Sequence, residues 1–212
     1  MQIVINEHNQ RHQVTSLVLF YYHDIIVGKQ ENKLNEVLRM EIIDVTPNTQ
    51  NDWQRVYGEA FPPYEQRPIS ELFDLVEQQD AIKMQVIIDE QAVVGIVYLC
   101  EIGLSKAFIL YFAIDANIQS KGYGGRALAM LQERYPGGII LEAEQTGVQA
   151  ENEEQRVRRY DFYMRNGLED KQLISENSGG TFHLLASTSD INTTEYLQAM
   201  HAMSIEAVVK RA

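Results

Sequence analysis

The sequence predicts an α/β fold with a mixed, mostly antiparallel central sheet and helices on both of its faces. The first observation is the order of the elements after Met40, in which a strand, two helices and three strands are followed by a helix, a strand, a helix and two strands. Short polar links join the three consecutive strands, which favours antiparallel pairing. The second observation is the strand Ala107–Ile114, whose side chains are apolar on both faces. That pattern is typical of a central strand covered on both sides.

The ends of the chain do not fit this pattern. Residues 1–38 are rich in β-branched and aromatic residues, and we interpret them as an amino-terminal extension of unknown role. The main domain is predicted over residues 40–187. Asn192 begins the pattern of a helix cap, which predicts a Met-rich helix through about Val209. Residues 188–212 are therefore interpreted as a carboxyl-terminal helical extension.

Hydrophobic periodicity predicts the elements between these ends. Three prolines in Phe61–Pro68 interrupt the first helical pattern, because proline cannot continue a helix. In the last helix, Val157, Tyr160 and Met164 form an apolar stripe that we expect to face the core. The predicted helices are Thr49–Phe61, Ile69–Gln79, Tyr123–Tyr135 and Asn152–Asn166. The predicted strands are Glu41–Val45, Ile82–Ile88, Ala92–Glu101, Ala107–Ile114, Ile139–Glu144, Asp170–Ser175 and Thr181–Ala186.

The composition indicates a folded, acidic protein. Its 212 residues, 45% of them hydrophobic, suit one domain with appendages or at most two small domains. The net charge of −12 disfavours nucleic acids and anionic membranes as partners and suits small cations such as amines. The single cysteine, Cys100, cannot form an internal disulfide, so we expect a reducing, cytoplasmic compartment.

Three glycines, Gly122, Gly124 and Gly125, lie where the central strand gives way to a helix. Glycine lets another group approach the backbone closely, and a helix amino terminus presents N–H groups that can bind phosphate. A glycine-rich turn that serves packing alone is the simplest alternative.

A dinucleotide-binding fingerprint is a further alternative. Gly122, Gly124 and Ala127 match G-x-G-x-x-A, and Glu142 follows twenty residues after the first glycine. However, seven residues, 115–121, separate the strand from the first glycine, whereas in that fold the glycine follows the strand almost at once. The preceding strands also have the pattern of a meander, so we reject this alternative.

The segment resembles the acetyl-CoA-binding motif of the GNAT superfamily of acetyltransferases. That motif is a hydrophobic strand and a short loop, followed by [RQ]-x-x-G-x-[GA] at the start of a helix. Gln119, Gly122 and Gly124 occupy its fixed positions. Residues 159–168, RYDFYMRNGL, resemble the second signature of the superfamily, a helix ending in F-Y-x-x-x-G-F, with Leu168 in place of the last phenylalanine. The two motifs occur in the expected order, and the first 38 and last 25 residues are not covered by the resemblance.

The resemblance implies an N-acetyltransferase that moves an acetyl group from acetyl-CoA to a primary amine by direct transfer in a ternary complex. The thioester is expected along the strand segment Tyr111–Ile114, with its carbonyl accepting an N–H group near Ile114. The residues expected to bind acetyl-CoA are Phe112, Ala113, Ile114, Gln119, Ser120, Lys121, Gly122, Tyr123, Gly124 and Gly125. The alternative is a non-catalytic CoA-binding sensor or interaction module on the same fold.

Acetyl transfer needs a group that takes a proton from the amine and a group that gives one to the leaving thiolate. Tyr163 aligns with the tyrosine that the superfamily often uses as general acid, and a core aromatic is the alternative. Glu142 and Glu144 alternate onto one predicted face of the strand beside the cosubstrate strand, which makes them candidate bases. A chain of water molecules is the alternative to a single base.

Other residues are candidates for binding the substrate. Tyr64, Glu65 and Arg67 lie in the proline-rich loop between the first two helices, which border the acceptor site in the superfamily. Glu101, near the end of the preceding strand, is a further candidate and a rival base. No Cys/His cluster has metal-ligand spacing, so no metal is expected. The acceptor is expected to be a small-molecule or peptide amine, and both ends of the chain are candidates for homodimer contacts.

Overall fold

The computed structural model describes residues 40–118, 121–147, 150–188 and 192–212. The predicted amino-terminal extension, residues 1–38, lies outside the described residues. The chain divides into two units, Met1–Met40 and Glu41–Ala212, and the fold below is that of the second unit, with Met40 at the boundary.

Eight strands within the described ranges form one sheet, in the order β1-β2-β3-β4-β5-β7-β6-β8. The strands are β1 (Met40–Asp44), β2 (Ile82–Asp89), β3 (Ala92–Ile102), β4 (Lys106–Ile114), β5 (Gly138–Glu144), β6 (Glu169–Asn177), β7 (Gly180–Ala186) and β8 (Ala207–Arg211). The helices are α1 (Gln50–Ala60), α2 (Ile69–Gln78), α3 (Tyr123–Arg134), α4 (Glu153–Arg165) and α5 (Thr193–Ala202), and a short 3₁₀ turn spans Ala116–Ile118. Between residues 40 and 187, every predicted helix and strand is found within two residues of its predicted bounds.

The sheet is mixed and mostly antiparallel, as predicted. The β4–β5 pair is parallel. The pairs β2–β3, β3–β4, β5–β7, β6–β7 and β6–β8 are antiparallel. The run from β2 to β4 is therefore the predicted meander, and the only change of direction among these pairs lies at the centre of the sheet.

Helices cover both faces of the sheet. On the first face, Trp53 of α1, Tyr98 of β3 and Tyr196 of α5 belong to one large core of buried side chains. On the second face, α3 buries Leu128 and Leu131. Successive side chains of a strand point to opposite faces, which is why the apolar side chains of β4 supply both cores. The prediction of a central strand covered on both sides is confirmed.

The predicted buried stripe of α4 is wrong. Val157 and Met164 are 40% and 37% exposed, whereas Tyr163 is only 7% exposed. The stripe prediction assumed that apolar residues mark the inner side of a helix. In α4 the inner side also carries Arg156 and Arg159, so hydrophobicity does not identify it.

The helix at the carboxyl end begins as predicted. The Asn192 side chain accepts hydrogen bonds from the backbone N–H groups of Thr194 and Glu195, at 3.0 and 3.4 Å, which confirms the predicted cap. Such a cap satisfies N–H groups that have no partner inside the helix.

The same helix ends earlier than predicted, because α5 stops at Ala202 and β8 follows it. The prediction of a helix through Val209 is therefore wrong. Ser204 has a φ of 58°, which ends the helical backbone, and the β-branched Val208 and Val209 favour a strand. Because β8 pairs with β6 and α5 contributes Met200 to the core, this segment is part of the domain and not a helical appendage.

Candidate functional site

Strands β4 and β5 separate along their length. Their parallel pairing joins Lys106–Ile109 to Gly138–Leu141 and ends there. Strand β4 nevertheless continues to Ile114, and β5 continues to Glu144. The centre of the sheet therefore opens at the carboxyl ends of its two parallel strands.

A β-bulge in β4 lies where this separation begins. Tyr98 of β3 lies opposite Tyr111, and the next residue, Leu99, lies opposite Ile109, so Leu110 has no partner on β3. An extra residue of this kind bends the strand and increases its twist. The bend at Leu110 coincides with the end of the β4–β5 ladder.

Beyond the bulge, β4 presents backbone groups to the opening. The N–H of Asp115 donates to the carbonyl of Val94 on β3, at 3.0 Å. Backbone groups of successive strand residues point to opposite sides, so those of Ala113 also point to β3 and those of Phe112 point to the opening. A strand edge of this kind can pair with an extended ligand that contains amides.

Helix α3 begins with a left-handed residue beside open space. Gly122, its amino-terminal cap, has a φ of 79°, a conformation that favours glycine. No described atom lies within 4 Å of the position that a Cβ of Gly122 would take. The helix amino terminus supplies N–H donors and a partial positive charge. This position therefore fits the approach of a phosphate to the backbone.

Gly124 and Gly125 face α4 instead. A Cβ on Gly124 would lie 2.9 Å from the ring of Phe162, and one on Gly125 would lie 2.7 Å from Asn166 Oδ1. Both distances are shorter than real Cβ contacts, so these glycines allow α3 to pack closely on α4. The packing alternative raised from the sequence accounts for these two positions.

The rest of the predicted cosubstrate loop is described in part. Gln119 and Ser120 lie outside the described residues, and Lys121 is exposed. The Tyr123 hydroxyl donates to Asp89 Oδ2 at 2.6 Å, which ties the first turn of α3 to the end of β2.

Asp115 anchors the segment between β4 and α3. Arg55 of α1 donates to its Oδ2 at 2.6 Å, and the backbone N–H of Asn117 donates to its Oδ1 at 2.9 Å. The hydrogen bond from Arg55 is the main cause that holds the pKa of Asp115 below its usual value. Nothing in the sequence links Arg55 to Asp115, because 60 residues separate them.

Tyr163 lies on the inner side of α4. Burial raises the pKa of its hydroxyl, and the positive charge of Arg159, one turn earlier, acts in the opposite direction. Within the described ranges, no hydrogen bond involves this hydroxyl. Tyr163 is therefore a buried phenol whose proton is not committed to another described group.

Glu144, the last residue of β5, is engaged by α4. Its Oε1 lies 3.1 Å from Arg156 Nη2, and its Oε2 lies 3.0 Å from Arg159 Nη2. The second contact is an ion pair without hydrogen-bond geometry, because Oε2 has no hydrogen-bond partner. Both carboxylate oxygens of this predicted base therefore face cations.

Glu142 lies in a separate hydrogen-bond network. Tyr196 of α5 donates to its Oε1 at 2.6 Å, and the Asn177 side chain donates to the same oxygen at 3.1 Å. Burial raises the pKa of Glu142, and these hydrogen bonds act against that rise. Glu142 and Glu144 lie two residues apart in β5 and pair in unbroken register with β7, but their side chains have separate partners. The structure therefore does not bring the two predicted bases into one network.

The proline-rich loop between α1 and α2 reaches β4 beyond the bulge. The Tyr111 hydroxyl donates to the backbone carbonyl of Glu65 at 3.1 Å. Glu65 is half-buried, and burial is the main cause that raises the pKa of its carboxyl, followed by the charge of Glu144. The neighbouring Tyr64 is 71% exposed. Because Tyr111 belongs to β4 and Glu144 to β5, Glu65 lies near the ends of both strands at the opening.

Both the backbone and the side chain of Arg67 contact other parts of the protein. Its backbone N–H donates to the Tyr57 hydroxyl at 2.8 Å, and its Nη1 donates to the carbonyl of Met203 at 2.5 Å. It also forms an ion pair with Glu71. These contacts hold the loop against α1 and α5, so they favour a structural role for Arg67 over the predicted contact with substrate.

Glu101 lies at the other end of β4. It is paired opposite Ala107, near the start of that strand, and it accepts a hydrogen bond from the Tyr135 hydroxyl at 2.9 Å. The structure does not bring Glu101 together with the other candidate residues.

No helix within the described ranges is long and apolar enough to cross a membrane. No group of three or more His, Cys, Asp or Glu side chains there is placed to hold a metal ion.

The comparison with protein families agrees with the resemblance found in the sequence. The model of the acetyltransferase (GNAT) family matches residues 47–167, which is more than half of the chain. The chain therefore belongs to the GNAT family of acetyltransferases. No curated protein matches the sequence.

Solved structures show the same fold. A protein from Bacteroides thetaiotaomicron assigned to the GNAT-family acetyltransferases aligns with a TM-score of 0.61 at 23% identity, over 76% of this chain and 94% of the other. Ard1 from Thermoplasma volcanium aligns with a TM-score of 0.51 at 17% identity, over 70% and 96%. A chimera of the Vibrio cholerae spermidine N-acetyltransferase SpeG and hSSAT aligns with a TM-score of 0.51 at 16% identity, over 74% and 98%. At these identities the similarity establishes the fold.

Proposed function

We propose that the protein is an N-acetyltransferase that moves the acetyl group of acetyl-CoA directly to a primary amine in a ternary complex. The observation that carries the proposal is the opening between β4 and β5, where the parallel ladder ends at Ile109 and Leu141 while both strands continue. An extended thioester can pair with one edge of such an opening, while an acceptor enters from its open end.

Two groups of the chain support acetyl-CoA as the cosubstrate. The backbone of Phe112 faces the opening and can hydrogen-bond to the amides of the pantetheine arm. The amino terminus of α3 at Gly122 fits the diphosphate, because its N–H groups are fixed donors that do not depend on side-chain charge. This matters in a protein with a net charge of −12.

Tyr163 is the proposed general acid. Its buried hydroxyl is uncommitted within the described residues and lies on the inner side of α4. The thioester supplies an activated acyl group and a thiolate leaving group. Tyr163 gives its proton to that sulfur as the C–S bond breaks.

The proposed acceptor is a small-molecule or peptide amine. The acidic net charge of −12 favours the approach of a cation. One structural neighbour includes a spermidine N-acetyltransferase, which illustrates a polyamine acceptor on this fold.

The test has two stages. A thermal-shift assay compares acetyl-CoA, CoA and NADH, and we expect stabilisation by the first two only, because ligands that bind the native state raise its stability. CoA release is then followed with a thiol reagent, using spermidine, an aminoglycoside, free amino acids and a peptide with a free amino terminus as acceptors. Tight acetyl-CoA binding without CoA release would favour the CoA-binding sensor, and stabilisation by NADH alone would contradict both alternatives.

A further inference from the structure

We propose that Glu65 is the general base of this site, and that it binds the ammonium group of the acceptor before taking its first proton. This inference rests on the proposed function and goes beyond the predicted role of Glu65 as a substrate contact. It also moves the base from β5, where Glu142 and Glu144 were predicted to serve, to the loop between α1 and α2.

Glu65 differs from the neighbouring carboxylates in having no cationic partner. Within the described ranges, no ion pair engages its carboxylate, and its one side-chain hydrogen bond is to the hydroxyl of the exposed neighbour Tyr64, which carries no positive charge. A half-buried carboxylate loses part of its hydration, which is unfavourable unless a partner compensates for the loss. Carboxylates that lack such compensation are common at functional sites. The other carboxylates near the opening are engaged: Asp115 by Arg55, Glu142 by Tyr196 and Asn177, and Glu144 by Arg156 and Arg159.

The backbone holds Glu65 at the opening. Its carbonyl accepts from the Tyr111 hydroxyl at 3.1 Å, and its own N–H donates to the carbonyl of Pro62 at 2.9 Å. Tyr111 belongs to the part of β4 beyond the bulge, along which the thioester is expected. An acceptor nitrogen bound by Glu65 therefore lies on the side from which it can reach the acyl carbon.

The surroundings shift the pKa of Glu65 in the direction that a general base needs. Burial is the largest cause that raises the pKa of Glu65, and the negative charge of Glu144 raises it further. The positive charge of Arg159 acts in the opposite direction. A carboxylate with a raised pKa holds an abstracted proton better than an exposed one. Both oxygens of Glu144 face arginines, whereas Glu65 has no ion pair among the described residues, so Glu65 is the carboxylate that can act as counter-ion to the arriving ammonium group.

The proton transfers balance. Glu65 takes one proton from the ammonium group, and the resulting amine forms the N–C bond. The C–S bond then breaks, and the sulfur takes the hydroxyl proton of Tyr163. The second proton of the nitrogen returns to the Tyr163 oxygen, and Glu65 releases its proton to water. The products are the amide, CoA with a free thiol and one proton.

The experiment compares Glu65→Gln with a matched control, Glu77→Gln. Glu77 is an exposed residue of α2, so the control removes one negative charge away from the opening. The acceptor probes are spermidine, methylamine and a short peptide with a free amino terminus. We expect Glu65→Gln to lower kcat by at least about 10²-fold, the lower range for general acid–base catalysis, and to leave the Kd for acetyl-CoA unchanged. The acidic limb of the wild-type kcat/KM profile is expected to disappear.

Three other outcomes would count against the inference or against the proposed function. A Glu65→Gln enzyme with wild-type kcat and an unchanged acidic limb overturns the inference. A rise in KM alone also overturns it, because it shows recognition of charge without proton transfer. A wild-type protein that binds acetyl-CoA and acetylates none of the probes refutes the proposed function itself.

A second measurement tests the inference on the wild-type protein, in case Glu65→Gln does not fold. The carboxyl carbons of wild-type glutamates are titrated by ¹³C NMR, and Glu65→Asp identifies the Glu65 resonance. Its midpoint is expected above those of the exposed glutamates and is expected to fall when spermidine is added, because a bound cation favours the charged carboxylate. A midpoint that does not move with spermidine overturns the inference.

Discussion

Substitution of Gly124 separates the packing role of the glycines from a role in binding. In Gly124→Ala, the new Cβ would lie 2.9 Å from the Phe162 ring, whereas carbon atoms in contact prefer about 3.5–4.0 Å. Overpacking of this kind costs roughly 1–3 kcal/mol. Alanine recovers roughly 0.5–1 kcal/mol of this cost, because glycine is a poor helix former. We therefore expect a net loss of up to about 2.5 kcal/mol in the free energy of unfolding.

Substitution of Gly122 should have a different effect from substitution of Gly124. Gly122→Val meets no described atom near the new Cβ but must adopt a φ of 79°, so its cost is strain and not a clash. We expect it to abolish acetyl-CoA binding, because the side chain would fill the space through which the backbone is approached. Gly124→Ala is expected to lower stability without ligand and to affect acetyl-CoA binding less.

The assay is thermal unfolding without ligand, followed by titration with acetyl-CoA. For a chain of this size, each kcal/mol of lost stability corresponds to a fall in Tm of about 2–4 °C. Phe162→Leu supplies the control, because a smaller side chain removes the close contact and should abolish most of the cost of Gly124→Ala within that background. If Gly124→Ala melts above the wild-type temperature, or if the effect of Gly124→Ala is the same with Leu at 162, the packing explanation is refuted.

Three further substitutions test the site. Tyr163→Phe is expected to preserve acetyl-CoA affinity and to lower kcat by about 10²- to 10⁴-fold, and unchanged turnover would remove this hydroxyl from the mechanism. Asp115→Asn removes a carboxyl whose pKa is lowered mainly by Arg55; the stability it contributes should be full above its unfolded pKa of about 3.9 and be lost as pH falls through the lower folded value. Urea unfolding of both proteins as a function of pH checks this, and a difference that persists in strong acid would contradict it. Tyr196→Phe leaves Glu142 without its 2.6 Å donor and should cost about 1–3 kcal/mol by the same method, while an unchanged midpoint would show that the network is not stabilising.

The fold could be predicted because its elements follow from local patterns. Hydrophobic periodicity and prolines determined the helices and strands between residues 40 and 187 to within two residues. The wrong prediction of a helix at Val208 and Val209 has a physical cause. Their strand exists because β6 offers them an edge to pair with, and this tertiary contact outweighed a sequence pattern that was compatible with a continued helix.

The site could be predicted only in part. Glycine positions and the signature around Tyr163 are contiguous in sequence, so they can be read directly. The bulge at Leu110 cannot, because β4 is apolar on both faces and one extra residue leaves its pattern unchanged. The partners of Glu144 also could not be read, since charges in a sequence do not reveal which opposite charges they meet after folding.

Helix α4 is the least hydrophobic of the described helices, and it lies closest to the proposed chemistry. It packs on α3 through Phe162 and Asn166, at the two glycines that allow the approach. One turn away it directs Arg159 to Glu144, at the end of β5. Tyr163 lies between these contacts, so the proposed acid is on the same helix that borders both the proposed cosubstrate end and the proposed acceptor end of the opening. A helix with this inner side cannot be uniformly apolar, and for the same reason its amphipathic pattern was misleading.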